Sequence, residues 1–364
     1  MEAMKDKYSR AFFEQFVPIV KGAYSAFDEH NFLNLIYDDA WEGRELKQRI
    51  RHVAVTLTRT LPHNYEEAID ILTGIAPQCR GFEYLFFPDF VELNGLEHYD
   101  TSVRALEQFT VYSSAEFAVR PFIIQDPGRM MQQMRQWATH ENEHVRRLAT
   151  EGCRPRLPWG ISLALFKQDP HPILPILNAL KEDSSEYVRK SVANNLNDIS
   201  RDHPRLVLDI AEEWYGHNPL TDWIVRHGLR SMIKKGDPEA LALFGLGDCT
   251  SLNVQALNVM DERVAVGDDL HFSFEIVNQS DEPRKVRIEY EIGYMRSNGK
   301  LSPKRFKLSE KMYNTGLTTT MKKHSFKPIT TRKYYSGEHR LAIIVNGQEM
   351  ASVPFELNFP QGSL

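Results

Sequence analysis

The sequence predicts a two-part chain, helical first and then β: an α-solenoid of HEAT-like helical repeats followed by an immunoglobulin-like β-sandwich. Three observations carry this. Residues 8–245 place apolar side chains at helical spacing, four segments within them repeat an acid–Val–Arg pattern, and beyond Gly245-Leu-Gly-Asp-Cys-Thr250 the period becomes alternating. At 364 residues the chain exceeds one typical core, so two domains are expected, 1–245 and 246–364.

The first region opens with a helix from Tyr8 to about Tyr24, with a kink expected at Pro18. A short helix near Phe32–Tyr37 follows, then a long one from Trp41 to Leu61. The long helix carries Leu46, Ile50, Val53 and Leu57 at helical spacing, with Arg44, Lys47, Arg49, Arg51 and Arg59 elsewhere. It reads either as an amphipathic surface helix with solvated charges or as a basic helix facing a partner. Helices continue through Asn64–Ala76, and the aromatic segment 82–96 (Phe82, Tyr84, Phe86, Phe87, Phe90) is expected in the core.

The repeats begin near residue 100. Glu116-Phe-Ala-Val-Arg120, Glu143-His-Val-Arg-Arg147, Glu186-Tyr-Val-Arg-Lys190 and Asp222-Trp-Ile-Val-Arg226 each set an acid four residues before a base, which supports an exposed helix face. Further helices are expected between them at Gly128–Thr139, Ile173–Lys181 and Pro204–Trp214. The repeat valines, Val119, Val145, Val188 and Val225, lie 26, 43 and 37 residues apart. Helices alternating at such an irregular period bury one another's apolar faces by stacking. The widest gap contains the Arg154–Trp159 stretch, which reads as an insertion.

After Gly245, strands are expected at Val264–Val266, Leu270–Val277, Val286–Ile292, Lys304–Leu308, His324–Pro328, His339–Val345 and Ala351–Leu357. Turn signals such as Gly267-Asp, Ser297-Asn-Gly and Asn346-Gly separate them. Short strands in this number indicate an immunoglobulin-like sandwich, here without inter-sheet cysteines.

Composition narrows the function. Cys79, Cys153 and Cys249 lie far apart without metal-ligand spacing, so no metal, cofactor or disulfide framework is expected. No signal peptide or membrane span is read, and a soluble cytoplasmic monomer is expected. The net charge of −5 hides an asymmetry: residues 296–333 hold eleven Lys/Arg against the single acid Glu310. Lys300, Lys304, Arg305, Lys322 and Lys323 of this cationic surface are candidate phosphate contacts, the alternative being a merely soluble sheet face.

The candidate site lies at Glu143-His-Val-Arg-Arg-Leu-Ala-Thr-Glu-Gly-Cys-Arg-Pro-Arg-Leu-Pro-Trp-Gly160. It begins as an amphipathic helix and breaks into a loop where an acid, two arginines and a tryptophan converge. Glu151 lies six residues after Val145 and Asp198 ten after Val188. The difference is about one helical turn, so both carboxylates can face the same side of stacked repeats. Glu116 reads equally well as a surface partner of Arg120. Arg120, Arg154 and Arg156 could hold phosphates or pair with solenoid acids, and Trp159 could support a bound nucleotide or close its loop onto the repeats.

The Leu148-Ala-Thr-Glu-Gly-Cys-Arg-Pro-Arg-Leu-Pro-Trp159 run, with Ser114-Ala-Glu-Phe-Ala-Val-Arg-Pro121 and Asn194-Asn-Leu-Asn-Asp-Ile-Ser200, resembles the AlkC branch of the bacterial alkylpurine DNA glycosylases, relatives of AlkD. The trailing sandwich resembles the immunoglobulin-like extension of one subgroup. The resemblance implies excision of cationic N3-alkylated bases, chiefly 3-methyladenine and also 3-methylcytosine, from double-stranded DNA, without a pocket enclosing the base. It implies Glu151, Asp198 and Glu116 as catalytic, Trp159, Arg154, Arg156 and Arg120 at the lesion or DNA, and the sandwich as a DNA clamp. The chemistry is consistent: a cationic base departs neutral without a general acid, and carboxylates can stabilise the oxocarbenium-like sugar and orient a water. A non-catalytic HEAT-repeat and immunoglobulin-like scaffold is the alternative.

Overall fold

The computed structural model describes residues 3–330 and 332–360. Packing divides the chain into two units, Met1–Gly228 and Leu229–Leu364. The division falls earlier than the expected residue 245.

In the first unit, α1 (Arg10–Ala23), α2 (Glu29–Ile36), α3 (Leu46–Thr60), α4 (Tyr65–Ile75) and α5 (Phe86–Asn94) enclose an aromatic core that includes Phe13, Phe16, Phe32, Phe86, Phe87 and Phe90, all buried. Each such side chain removed from water contributes roughly 1.5–3 kcal/mol. Pro18 lies inside α1. The long helix starts at Leu46 rather than Trp41, because Glu45 and Gln48 form a capping box that fixes its first turn.

The repeats follow: α6 (Tyr99–Tyr112), α7 (Val119–Gln125), α8 (Pro127–Trp137), α9 (Glu143–Glu151), α10 (Ala164–Gln168), α11 (Leu174–Leu180), α12 (Glu186–Ile199), α13 (Pro204–Trp214) and α14 (Pro219–Gly228). Helix α8 packs on α9, α11 on α12 and α13 on α14, the helix pairs of a HEAT-like array. The second helices of the pairs also touch in series, α6 against α9, α9 against α12 and α12 against α14. Val145, Leu148, Val188, Val192, Leu196 and Val225 supply the buried stripes that join them. The loop between α9 and α10 is the expected insertion.

The expected acid–base pairs form only in part. Glu186 meets Lys190 at 2.8 Å. Glu116 precedes α7 instead of lying in it and pairs with Arg147, and Glu143 accepts a hydrogen bond from Ser185 Oγ. Arg146 and Arg189, one step after their repeat valines, point back to backbone carbonyls just before their own helices, His140 and Glu141 for Arg146, Asp183 and Ser184 for Arg189. Their recurrence is a structural device of the repeat.

The second unit begins with α15 (Arg230–Lys235) and α16 (Pro238–Leu243), which belong with the strands. Gly236 and Gly347 explain why: a Cβ on Gly347 would meet Gly236 Cα at 2.3 Å, so two backbones touch where neither can carry a side chain. The strands are β1 (Leu252–Val259), β2 (Arg263–Ala265), β3 (Asp269–Asn278), β4 (Arg284–Met295), β5 (Leu301–Tyr313), β6 (Gly316–Ser325), β7 (Gly337–Val345) and β8 (Gln348–Asn358). They form two sheets, ordered β1-β3-β6 and β2-β8-β7-β4-β5, antiparallel except for the β2–β8 pair. Phe272, Phe274, Ile288, Ile292, Leu341, Ile343, Phe355 and Leu357 fill the space between them. Strand β1 was not expected, and β6 spans Gly316–Ser325 where only His324–Pro328 was expected. Among the described residues no helix is long and apolar enough to cross a membrane.

Candidate active site

Helix α9 is anchored by Val145, Leu148 and Ala149, all fully buried. That leaves Glu143, Arg147 and Glu151, at i, i+4 and i+8, on a second stripe. Helix α12 presents Ser191, Asn195 and Asp198, at i, i+4 and i+7, and all three are buried. The two polar stripes meet because α9 packs on α12. Ser191 Oγ donates to Glu151 Oε2 at 2.5 Å, and Asn195 Nδ2 donates to Thr150 O at 2.9 Å.

Arg154, just past the end of α9, joins the expected pair. Its Nη1 donates to Glu151 Oε1 at 2.6 Å and its Nε to Asp198 Oδ2 at 2.9 Å. All three residues are at least nine-tenths buried. Burial alone would weaken the Arg154 charge, yet Glu151 and Asp198 more than offset it and raise its pKa above the ordinary arginine value. Asp198 is shifted upward, because burial outweighs the Arg154 hydrogen bond that favours its ionised form. Asp198 Oδ2 is thus the oxygen that Arg154 holds.

Glu116 joins through Arg147. Arg147 Nη1 donates to Glu116 Oε2 and, at 3.1 Å, to Ser114 Oγ, while Nη2 lies 3.5 Å from Glu151 Oε1. The guanidinium sits under the Tyr187 ring, 4.9 Å from its centroid. The structure therefore brings together the three expected carboxylates in one sequence of ion pairs, Glu116–Arg147–Glu151–Arg154–Asp198. Arg147, Ser191 and Tyr187 were not expected in the site. Arg147 had a signal, since it stands four residues from an acid on either side along one helix.

The other arginines are placed differently from expectation. Arg120, a candidate DNA contact, is fully buried and donates to Gly152 O at 2.8 Å and Ile161 O at 2.5 Å. Burial pushes its pKa down to about 10. It cannot reach a phosphate without unfolding the loop it holds. Arg154 is likewise committed to carboxylates, and Arg156 Nη2 forks onto Asp202 at 2.6 and 2.8 Å. Trp159 stands out from the surface at 63% exposure with a left-handed φ of 64°. Lys47 of α3 donates to its carbonyl at 2.6 Å.

In the second unit the basic surface occupies the edge strands β5 and β6. Lys304 and Lys322 are exposed, and Lys300 lies exposed just before β5. Lys323 pairs with Asp269 at 2.7 Å but stays largely exposed. Arg305 is used internally, donating to Glu291 Oε2 at 2.8 Å and to Lys234 O at 2.5 Å.

Comparison with known proteins meets this geometry. Residues 86–232 match the DNA alkylation repair enzyme family, and residues 253–359 match the C-terminal Ig-like domain of YhaZ. A solved structure of the Pseudomonas fluorescens alkylpurine DNA glycosylase AlkC, bound to DNA containing an abasic site analog, is similar with a TM-score of 0.94 and 38% identity, over 98% of this chain and 100% of that one. The chain belongs to the AlkC family. YhaZ of Bacillus subtilis (strain 168) is 46% identical over 358 residues, 98% of this chain and 100% of YhaZ. The likeness to AlkC thus spans both units, the repeats that carry the carboxylates and the sandwich that follows them.

Proposed function

We propose that the chain is a monofunctional DNA glycosylase of base excision repair, acting in the bacterial cytoplasm or nucleoid. It hydrolyses the N-glycosidic bond of cationic N3-alkylated bases, 3-methyladenine and also 3-methylcytosine, in duplex DNA. The observation that carries this reading is the run of three carboxylates tied by Arg147 and Arg154, followed along the chain by a loop with an exposed tryptophan. The paired cations are arginines, which hold their protons and form no imine, so hydrolysis without a covalent enzyme–sugar bond fits the site.

A cationic base leaves as a neutral molecule, so the difficulty lies in the sugar, which gains positive charge as the bond breaks. Glu151, fixed by Ser191 and Arg154, offers a preorganised negative charge to that sugar. Asp198, held through Oδ2 by Arg154, is the carboxylate that would orient a water. Glu116 adds charge through Arg147. Trp159 stands outside any enclosing cavity, which fits a base that is not sequestered as it would be by enzymes that flip it into a pocket. Lys300, Lys304 and Lys322 add phosphate contacts from the sandwich.

The test is base release from duplex DNA methylated at adenine N3, comparing wild type with Glu151→Gln and Asp198→Asn. Loss of one preorganised electrostatic group lowers the rate by roughly 100- to 1,000-fold, and each variant is expected in that range. A folded wild type that releases no base sinks the enzyme reading. Full activity in both variants sinks the site.

A further inference from the structure

The loop after Glu151 exposes a second large apolar side chain two residues beyond Trp159. Ile161 is 50% exposed, whereas Leu157 and Leu163 of the same loop are buried. Scattered exposed apolar residues need no explanation, but the backbone around these two is held by side chains from other helices. Lys47 Nζ holds the Trp159 carbonyl at 2.6 Å, and Arg120 Nε holds the Ile161 carbonyl at 2.5 Å. The same Arg120 holds Gly152 O, so one buried guanidinium closes the loop at both ends. Gly160 between them lies against this guanidinium. A Cβ there would meet Arg120 Cδ and Nε at 3.3 Å and Leu157 Cδ2 at 3.1 Å. With both carbonyls held and Trp159 in a left-handed conformation, the loop backbone is fixed while both side chains stand exposed.

We propose that Ile161 is a second DNA-contacting residue, forming with Trp159 a rigid wedge pressed into the duplex at the lesion, and that Lys47 is a positioning residue that holds this wedge. Apolar side chains set between base steps unstack them and bend the duplex. The occupant is damaged duplex DNA, since the same loop begins at Glu151 and the similar AlkC structure holds DNA with an abasic site analog. This inference rests on the glycosylase reading for the wedge's target, and it goes beyond it in assigning Ile161 and Lys47.

The test is binding of the full chain to a duplex with a tetrahydrofuran abasic site against the same duplex undamaged, with 2-aminopurine beside the site reporting unstacking. Ile161→Ala is expected to lose about tenfold of the preference for the abasic duplex, the scale of one apolar side chain returned to water. Its thermal unfolding should match wild type, because the side chain packs on little. Lys47→Met keeps the stem and removes the donor; it should lower both the preference and the 2-aminopurine signal severalfold. Ile124→Ala, at an exposed position on α7, should change neither. Absence of any preference in wild type, or its full retention in Ile161→Ala, overturns the wedge; wild-type values in Lys47→Met overturn the positioning role. A preference lost in Ile161→Ala, in a wild type that releases no alkylated base, would keep the wedge and sink the glycosylase reading.

Discussion

Glu151 and Asp198 share one guanidinium, that of Arg154, which donates a separate nitrogen to each carboxylate at 2.6 and 2.9 Å. The two acids come from different repeats and lie almost wholly out of water. Arg154 thus sets one positive charge between two buried carboxylates.

Removing that cation should therefore show in stability as well as rate. Arg154→Met leaves the buried Asp198 without its paired cation, while Glu151 keeps Ser191 and the more distant Arg147, and breaking a buried pair in this way costs about 3–5 kcal/mol. Asp198 responds by taking up a proton, so its pKa rises further, and a raised carboxylate pKa favours the fold at lower pH. The variant should be strongly destabilised near pH 7 and recover part of the loss toward pH 5, as measured by urea unfolding. Equal stability of the two proteins across this range would show that the arginine does not compensate the pair.

The phase of Glu151 and Asp198 was legible because helical geometry is local: six and ten residues from equivalent valines differ by one turn. The fate of the arginines was not. Whether Arg120 is free depends on Gly152 and Ile161, supplied by the loop after α9 closing on α7, and whether Arg154 is free depends on Asp198, supplied by the packing of α9 on α12. The sandwich shows the same limit. Strand β3 alternates buried and open residues and is legible for that reason, whereas β6 is an edge strand of Thr, Lys and Met with mostly exposed side chains and no alternation to detect. Strand β1 has its alternation broken by a bulge between Gln255 and Asn258, where Ala256 takes φ 51°.

On the proposed mechanism Asp198 ties activity to pH. Burial raises its pKa above the ordinary value of 3.8. A raised acid contributes stability that is fully present below its unfolded pKa and lost as pH rises through its folded pKa. Catalysis asks for the opposite form, since only the carboxylate can orient a water. On lowering the pH, single-turnover base release, corrected for spontaneous loss, should begin to fall above the usual aspartate range, while the Asp198 contribution to stability improves. A rate that stays flat down to pH 4 would show that Asp198 ionisation is not required.

The lysines of β5 and β6 and the arginine beside them should separate into two kinds. Lys300, Lys304 and Lys322 are exposed, and each lysine that no longer neutralises a phosphate flattens the log–log salt dependence of DNA binding by about 0.9. Replacing all three with Gln should reduce the slope by up to about 2.7 and leave unfolding of the sandwich unchanged. Arg305, bonded to Glu291 and to the Lys234 carbonyl, should behave in reverse. Arg305→Ala removes the donor that joins the end of α15 to β5, and since water can reach the exposed Lys234 carbonyl, the loss is about 1 kcal/mol for each hydrogen bond. Its signature is a lower unfolding temperature of the second unit with little change in the salt slope. A triple variant that binds DNA with the wild-type slope would reduce the basic edge to a solubility feature, since Lys on edge strands also guards against sheet-to-sheet association.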